Sequence, residues 1–185
     1  MQRFARLYSV LLGLSWLPFS VFASAAFPPY LSSKTPYQPQ QQIADYQSIP
    51  TGYQLVFTEL LARHGARTMT GGKSDLLSYQ LWQQAQKSGA LTALGKTLGP
   101  QLAAMIKANQ ALGYGQLTQL GREEHQQLAG RLVLRDQLLF QQAIAQDRKI
   151  SVQSSGKGRA VDSAENFVLG LKQAQPALTP LLLPP

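Results

Sequence analysis

The chain has no cysteine, only two histidines and only nine acidic residues among 185. Without cysteine there is no disulfide, no thiolate nucleophile and no cysteine-ligated zinc, and His64 and His125 are too few for a histidine metal cage, so no metal site is expected. The shortage of acids leaves seventeen Lys and Arg unbalanced, for a net charge of +8. That sign favours anionic partners: nucleic acid, lipid headgroups or phosphorylated metabolites. No internal repeat is visible, and composition excludes collagen, a coiled coil and a disulfide-stapled miniprotein. The length fits one soluble domain or a piece of a larger one.

Arg3 and Arg6 stand before an apolar run from Leu7 to Trp16, followed by Pro18 and the small residues Ala23, Ser24, Ala25 and Ala26. A membrane span needs about 20 mostly apolar residues, and Ser9, Ser15, Pro18 and Ser20 interrupt this one. The order predicts a secretory signal peptide over 1–25, cleaved after Ala25, and a periplasmic or secreted product with no stable membrane anchor. The mature chain would keep fifteen cations against nine acids, or +6.

Residues 26–50 carry Pro28, Pro29, Pro36, Pro39 and Pro50 with Gln40, Gln41 and Gln42 and show no apolar period, which predicts an extended leader. The domain proper is expected over 51–185. Tyr53 to Leu61 is a β-rich apolar run that breaks at Arg63, His64 and Gly65, as a buried strand delivering a loop would. Leu76 to Ala111 has apolar residues at threes and fours, interrupted by glycines and Pro100, and reads as two or three short helices. Thr118 is a candidate N-cap for one long helix to about Gln146, with Leu120, Leu128, Leu132 and Leu139 as its apolar stripe. Ile150 to Ser155 is a second strand candidate, followed by a helix from about Ala160 to Gln173. Strand, helices, strand, helix predicts an α/β unit with parallel strands. The tail PALTPLLLPP is expected to add no ordinary packed element.

A histidine, a glycine and two cations fall within Arg63, His64, Gly65, Ala66 and Arg67. One account is a basic solvated loop with an incidental histidine. The other is a site, because the carboxyl ends of parallel strands are where α/β sheets bind ligands. An imidazole can attack phosphorus, and guanidiniums match phosphate oxygens bidentately. Other chemistries fit less well. Gly72, Lys73 and Ser74 echo the end of a P-loop, but Arg67 occupies the place of its first glycine. The cations are scattered, with no basic cluster among aromatics, so no nucleic-acid partner is expected. Ser154 and Ser155 lie in no G-x-S-x-G elbow.

The run RHGAR resembles the signature of the histidine phosphatase superfamily, and its continuation is similar to the acid-phosphatase branch. Two further stretches agree in order. Gly115 to Leu132 (GQLTQLGREEHQQLAGRL) resembles that branch's Leu-Thr helix opening with a glycine three residues on. Ile150 to Leu171 (ISVQSSGKGRAVDSAENFVLGL) resembles the segment that supplies a third phosphate-binding arginine, here Arg159. RHGART followed by GGKSD is most similar to the multiple inositol-polyphosphate phosphatase group.

The resemblance implies a phosphoglycerate-mutase-like three-layer α/β fold with a mostly parallel sheet and a helical insertion at about 75–112. It implies His64 as the nucleophile, with Arg63, Arg67 and Arg159 holding the phosphoryl oxygens and Lys73 as a further pocket candidate, all without a cofactor. The implied substrate is a small phosphorylated metabolite such as an inositol phosphate; oligomeric state is left open. The branch's proton donor sits in a late His-Asp or His-Ala-Glu motif, which this chain lacks. His125 is read as a packing or surface residue, and Glu123 and Glu124 as solvated helix charges. Two strand candidates make a marginal sheet, so the expectation is the N-terminal part of a phosphatase. Two other readings stay open: a phosphate-ligand-binding remnant without the acid, and an envelope interaction module.

Overall fold

The computed structural model describes residue 35 and residues 37–183. The expected signal peptide and the start of the leader lie outside the described residues. Five α-helices carry the fold: α1 (Lys73–Lys87), α2 (Ala93–Leu112), α3 (Gln119–Arg135), α4 (Gln137–Ala145) and α5 (Gly158–Ala174), with short 3-10 helices at Ile43–Asp45 and Pro176–Leu181.

The expected α/β architecture is overturned. Among the described residues 59% are helical, 3% have strand-type pairing and there is no sheet. Two isolated bridges exist, antiparallel between Arg67 and Leu117 and parallel between Ile150 and Leu182. Neither joins the two strand candidates. The segment 53–61 has no regular secondary structure, and all of its residues but the half-buried Leu55 and Thr58 are exposed, with Tyr53 76%, Phe57 71% and Leu61 95%. β-propensity describes how a side chain fits a half-buried pleat; these residues have the propensity, and the described chain supplies no neighbouring strand. Ile150 bonds the tail instead: its N–H donates to the Leu181 carbonyl at 2.8 Å and its carbonyl accepts from Leu183 N at 2.9 Å.

The helices follow local chemistry. Thr92 and Thr118 cap α2 and α3, their side chains accepting from Gly95 N at 3.0 Å and Gly121 N at 3.2 Å, which satisfies amides that have no partner within the helix. The expected single helix from Thr118 to Gln146 is two helices, broken at Asp136, where the backbone (φ −105, ψ 33) leaves the helical range. The Asp136 side chain is nearly buried and held by Arg135 Nε at 3.0 Å. Helices α1 and α2 pack on each other where Trp82 lies over Gly99, a position at which any Cβ would enter the indole ring. The indole N–H donates to the Gly95 carbonyl at 2.7 Å.

The apolar core lies among Ala129, Leu132 and Val133 of α3, Phe140 and Ala143 of α4, Leu171 of α5, and Leu178 and Leu181 of the last 3-10 helix. The tail is therefore part of the core, contrary to expectation: its prolines suit a 3-10 turn that carries Leu178 to 0% exposure. Helices α3 and α5 approach closely at Gly170, where a Cβ would stand 2.7 Å from Gln126 Cα and 2.9 Å from Ala129 Cβ. Beyond that crossing the seam turns polar. Gln126 Nε2 donates to Asn166 Oδ1 at 2.8 Å, and Arg122 reaches Asp162 at 3.5 Å.

Candidate functional site

The polar end of the α3–α5 seam meets the loop from Arg63 to Thr68. The loop is bonded nearly atom by atom. His125 Nε2 lies 3.1 Å from the Arg63 carbonyl; Gly65 N donates to Ser163 Oγ at 3.1 Å; Ala66 N donates to Glu124 Oε2 at 2.7 Å. The Ala66 carbonyl accepts from Thr118 N at 2.9 Å and Thr118 Oγ1 at 2.8 Å. Thr68 N donates to the Gln116 carbonyl at 2.9 Å, and Met69 N to Asn109 Oδ1 at 2.8 Å. Glycine at 65 and 121 permits this. A Cβ on Gly65 would lie 2.7 Å from Gly121 Cα, and one on Gly121 would lie 2.7 Å from Ala66 N. Gly65 thus serves a close approach to α3, which accounts for it without a ligand.

His64 is half-buried, and its Nδ1 lies 2.9 Å from the Gly65 carbonyl oxygen. A carbonyl only accepts, so Nδ1 carries a proton, and in the neutral ring the lone pair is on Nε2. Arg63 is exposed. Arg67 is half-buried; its Nη1 donates to the Thr68 carbonyl at 2.8 Å, while its Nε is buried with no hydrogen-bond partner among the described residues. Arg159 sits in the first turn of α5, half-buried, with its Nε in the same state. An orphaned buried donor costs about 1–3 kcal/mol, and an anion at either guanidinium would relieve that. Lys73, the first residue of α1, is exposed and no described contact ties it to the loop.

The loop reaches the Arg159 segment through one hydroxyl: Ser163 Oγ accepts from Gly65 N and donates to the Arg159 carbonyl at 2.7 Å. Backbones 94 positions apart are thereby joined across a single oxygen, and His64 adjoins one of them.

Glu124 differs from expectation and Ser163 was not anticipated, while Glu123 and His125 stand as a surface and a packing residue. Glu124, expected in solvent, is half-buried, with Oε2 on Ala66 N and Oε1 accepting from Tyr37 N at 3.2 Å. Glu123 is exposed, as expected, and accepts from Gln119 Nε2 at 2.9 Å. His125 is buried against the loop. Burial holds its pKa below the ordinary histidine value, with the nearby His64 pushing the same way, while the Arg63 carbonyl and Glu124 pull it up. The neutral ring donates from Nε2 to that carbonyl. Ser163 had no sequence signal beyond its place four residues after Arg159. Among the described residues no three His, Cys, Asp or Glu gather as metal ligands.

Known proteins match in the same region. The family model for the histidine phosphatase superfamily (branch 2) matches residues 54–177. Phytase A of Neurospora crassa is 28% identical over 127 residues, 69% of this chain and 24% of that protein. Phytase A of Emericella nidulans is 29% identical over 136 residues, 74% of this chain and 27% of that protein. The chain thus spans about a quarter of the length of these curated relatives. Among solved structures, the Bifidobacterium longum multiple inositol polyphosphate phosphatase in complex with phosphate superposes with a TM-score of 0.74 at 34% identity, covering 80% of this chain and 30% of that one. The same enzyme with inositol hexasulfate gives a TM-score of 0.73 at 33% identity, covering 82% and 31%. With a family model spanning two thirds of its length and the RHGAR loop held at the α3–α5 seam, this chain belongs to branch 2 of the histidine phosphatase superfamily.

Proposed function

We propose that the chain carries the nucleophile and phosphate-binding part of an exported phosphomonoesterase that acts on small phosphorylated metabolites, inositol phosphates foremost. The observation that carries this is that the loop bearing His64 and Arg67 is tied through Ser163 to the turn bearing Arg159, and that both guanidiniums hold a buried Nε–H without an acceptor among the described residues. The Bifidobacterium enzyme, solved with phosphate and with inositol hexasulfate, supports the substrate class.

In the proposed step Nε2 attacks phosphorus, the N–P bond forms as the ester P–O bond breaks, and the leaving alkoxide takes its proton from water. Water then attacks the phosphohistidine, releasing inorganic phosphate and restoring the imidazole. Arg63, Arg67 and Arg159 would carry the equatorial oxygens, where the transition state spreads its charge. Neither Glu124 nor His125 is disposed as the acid: both carboxylate oxygens of Glu124 accept backbone N–H groups, and His125 Nε2 is turned to the Arg63 carbonyl. This favours strong phosphate binding over fast turnover, since general acid catalysis supplies about 10²–10⁴ in rate.

The test is hydrolysis of p-nitrophenyl phosphate and inositol hexakisphosphate from about pH 3 to 8, with His64→Ala as the blank and phosphate binding measured by calorimetry. Expected are phosphate binding by both proteins and a slow turnover that vanishes in the variant. Turnover that survives His64→Ala, or a wild-type protein that does not bind phosphate, would refute the proposal.

A further inference from the structure

Three successive peptide planes of the nucleophile loop are each held by a different side chain. His125 bonds the carbonyl between Arg63 and His64, Ser163 the N–H between His64 and Gly65, and Glu124 the N–H between Gly65 and Ala66. Only the third plane carries an acceptor for the imidazole, the Gly65 carbonyl, to which His64 Nδ1 donates at 2.9 Å. That peptide is trans and planar, so its N–H and C=O point in opposite directions and turn together. Glu124 Oε2 accepts the Ala66 N–H at 2.7 Å, against 3.1 Å for each of the other two bonds. A carboxylate acceptor makes a bond roughly twice as strong as a neutral one, and by polarising the amide it strengthens the carbonyl at the other end as an acceptor.

We propose that Glu124 is a positioning residue: through the peptide between Gly65 and Ala66 it aims the carbonyl that keeps the proton of the neutral His64 ring on Nδ1 and the lone pair on Nε2. Its effect on turnover rests on the phosphatase reading; its effect on the ring rests on the bonds alone. Neighbouring bonds do not replace it. Thr118 holds the Ala66 carbonyl, which belongs to the following peptide and lies across the rotatable bonds of Ala66. Ser163 acts across the rotatable bonds of Gly65, which the missing Cβ leaves freest to turn. Glu124 is itself fixed, half-buried on α3 with Oε1 accepting from Tyr37 N at 3.2 Å.

The experiment uses the full chain and four variants: Glu124→Ala; Glu124→Gln, which keeps an oxygen for the Ala66 N–H; Glu123→Gln, which removes the same charge one residue away from an exposed side chain; and Val133→Ala, a core truncation that serves as the stability control. Two quantities are read: the His64 tautomer from imidazole nitrogen chemical shifts at about pH 8, and the hydrolysis of p-nitrophenyl phosphate that His64→Ala abolishes. In Glu124→Ala the ring should become a mixture of Nδ1–H and Nε2–H forms and turnover should fall about tenfold, the factor one hydrogen bond is worth. Glu124→Gln should keep the Nδ1–H form, and Glu123→Gln and Val133→Ala should change neither quantity. A pure Nδ1–H ring in Glu124→Ala, or an equal mixture in Glu123→Gln or Val133→Ala, would overturn the proposal. If Glu124→Ala does not fold, Glu124→Met, whose thioether accepts only weakly, replaces it with the same expectation. A wild-type chain without turnover that His64→Ala removes would overturn the phosphatase reading alone, because the ring spectra still decide the role of Glu124.

Discussion

Replacing Gly121 with alanine separates two opposed effects. Gly121 lies in the first turn of α3 with no positive φ, and glycine in a helix costs up to about 0.5–1 kcal/mol relative to alanine, so propensity alone makes the change stabilising. The structure reverses the sign. The new methyl would press on the Ala66 carbonyl and come within 2.7 Å of Ala66 N, both backbone atoms that cannot rotate away. Relief requires α3 and the loop to part, which strains the two Thr118 bonds to the Ala66 carbonyl and the Glu124 bond to its N–H. Overpacking costs about 1–3 kcal/mol and each weakened bond about 1 kcal/mol. Net of the helix gain, Gly121→Ala should destabilise by about 2–4 kcal/mol. Gly130 is the internal control: it lies in the same helix, and a methyl added there would meet nothing within 4 Å, so Gly130→Ala should stabilise by about 0.5–1 kcal/mol. Urea unfolding followed by far-ultraviolet circular dichroism measures both. A Gly121→Ala protein as stable as Gly130→Ala would refute the close approach of the loop to α3.

Two further outcomes are expected. Burial lowers the His125 pKa in the folded chain below the ordinary value of 6.5, so the unfolded chain takes up the proton first on acidification; stability should be full above about pH 6.5 and fall towards the lower folded value. His125→Gln should flatten that limb of a urea-midpoint profile, and a wild-type profile flat from pH 7.5 to 5 would contradict it. Leu178→Ala, at a side chain with 0% exposure in the tail, should cost about 2–5 kcal/mol, whereas an unpacked tail would tolerate it with no change in unfolding midpoint.

The helices were legible because their signals are local. Thr118 is an N-cap, as its side chain and the glycine three residues on suggested, and the helix expected from Ala160 to Gln173 lies within Gly158–Ala174. The separation of α3 from α4 at Asp136 was not legible, since Leu132 and Leu139 keep the same apolar period across a break where buried Asp136 is held by the exposed Arg135. The strands failed for a non-local reason: Tyr53 to Leu61 has the composition of a strand, but pairing is a property of neighbours. At the site, RHGAR and Arg159 stood out by residue type. Glu124 did not, because a glutamate on a polar helix face looks the same whether water or a buried amide receives its oxygens. Ser163 lies in the run that resembles the family but was given no role there; only folding shows that its hydroxyl lies between two distant backbones.

The bare run from Tyr53 to Leu61 also governs how the protein behaves in company. Its N–H and C=O groups are not engaged in any ladder among the described residues, five of its side chains are large, apolar and exposed, and Glu59 is its one charge. Such a stretch is a template on which another molecule's backbone can lay itself down, and native proteins ordinarily blunt such templates with lysines, prolines or a covering element. Here Pro50 and Arg63 stand at the two ends and nothing interrupts the middle. Association through such a run grows with concentration while folding within one chain does not, so any pairing of copies here is a matter of concentration.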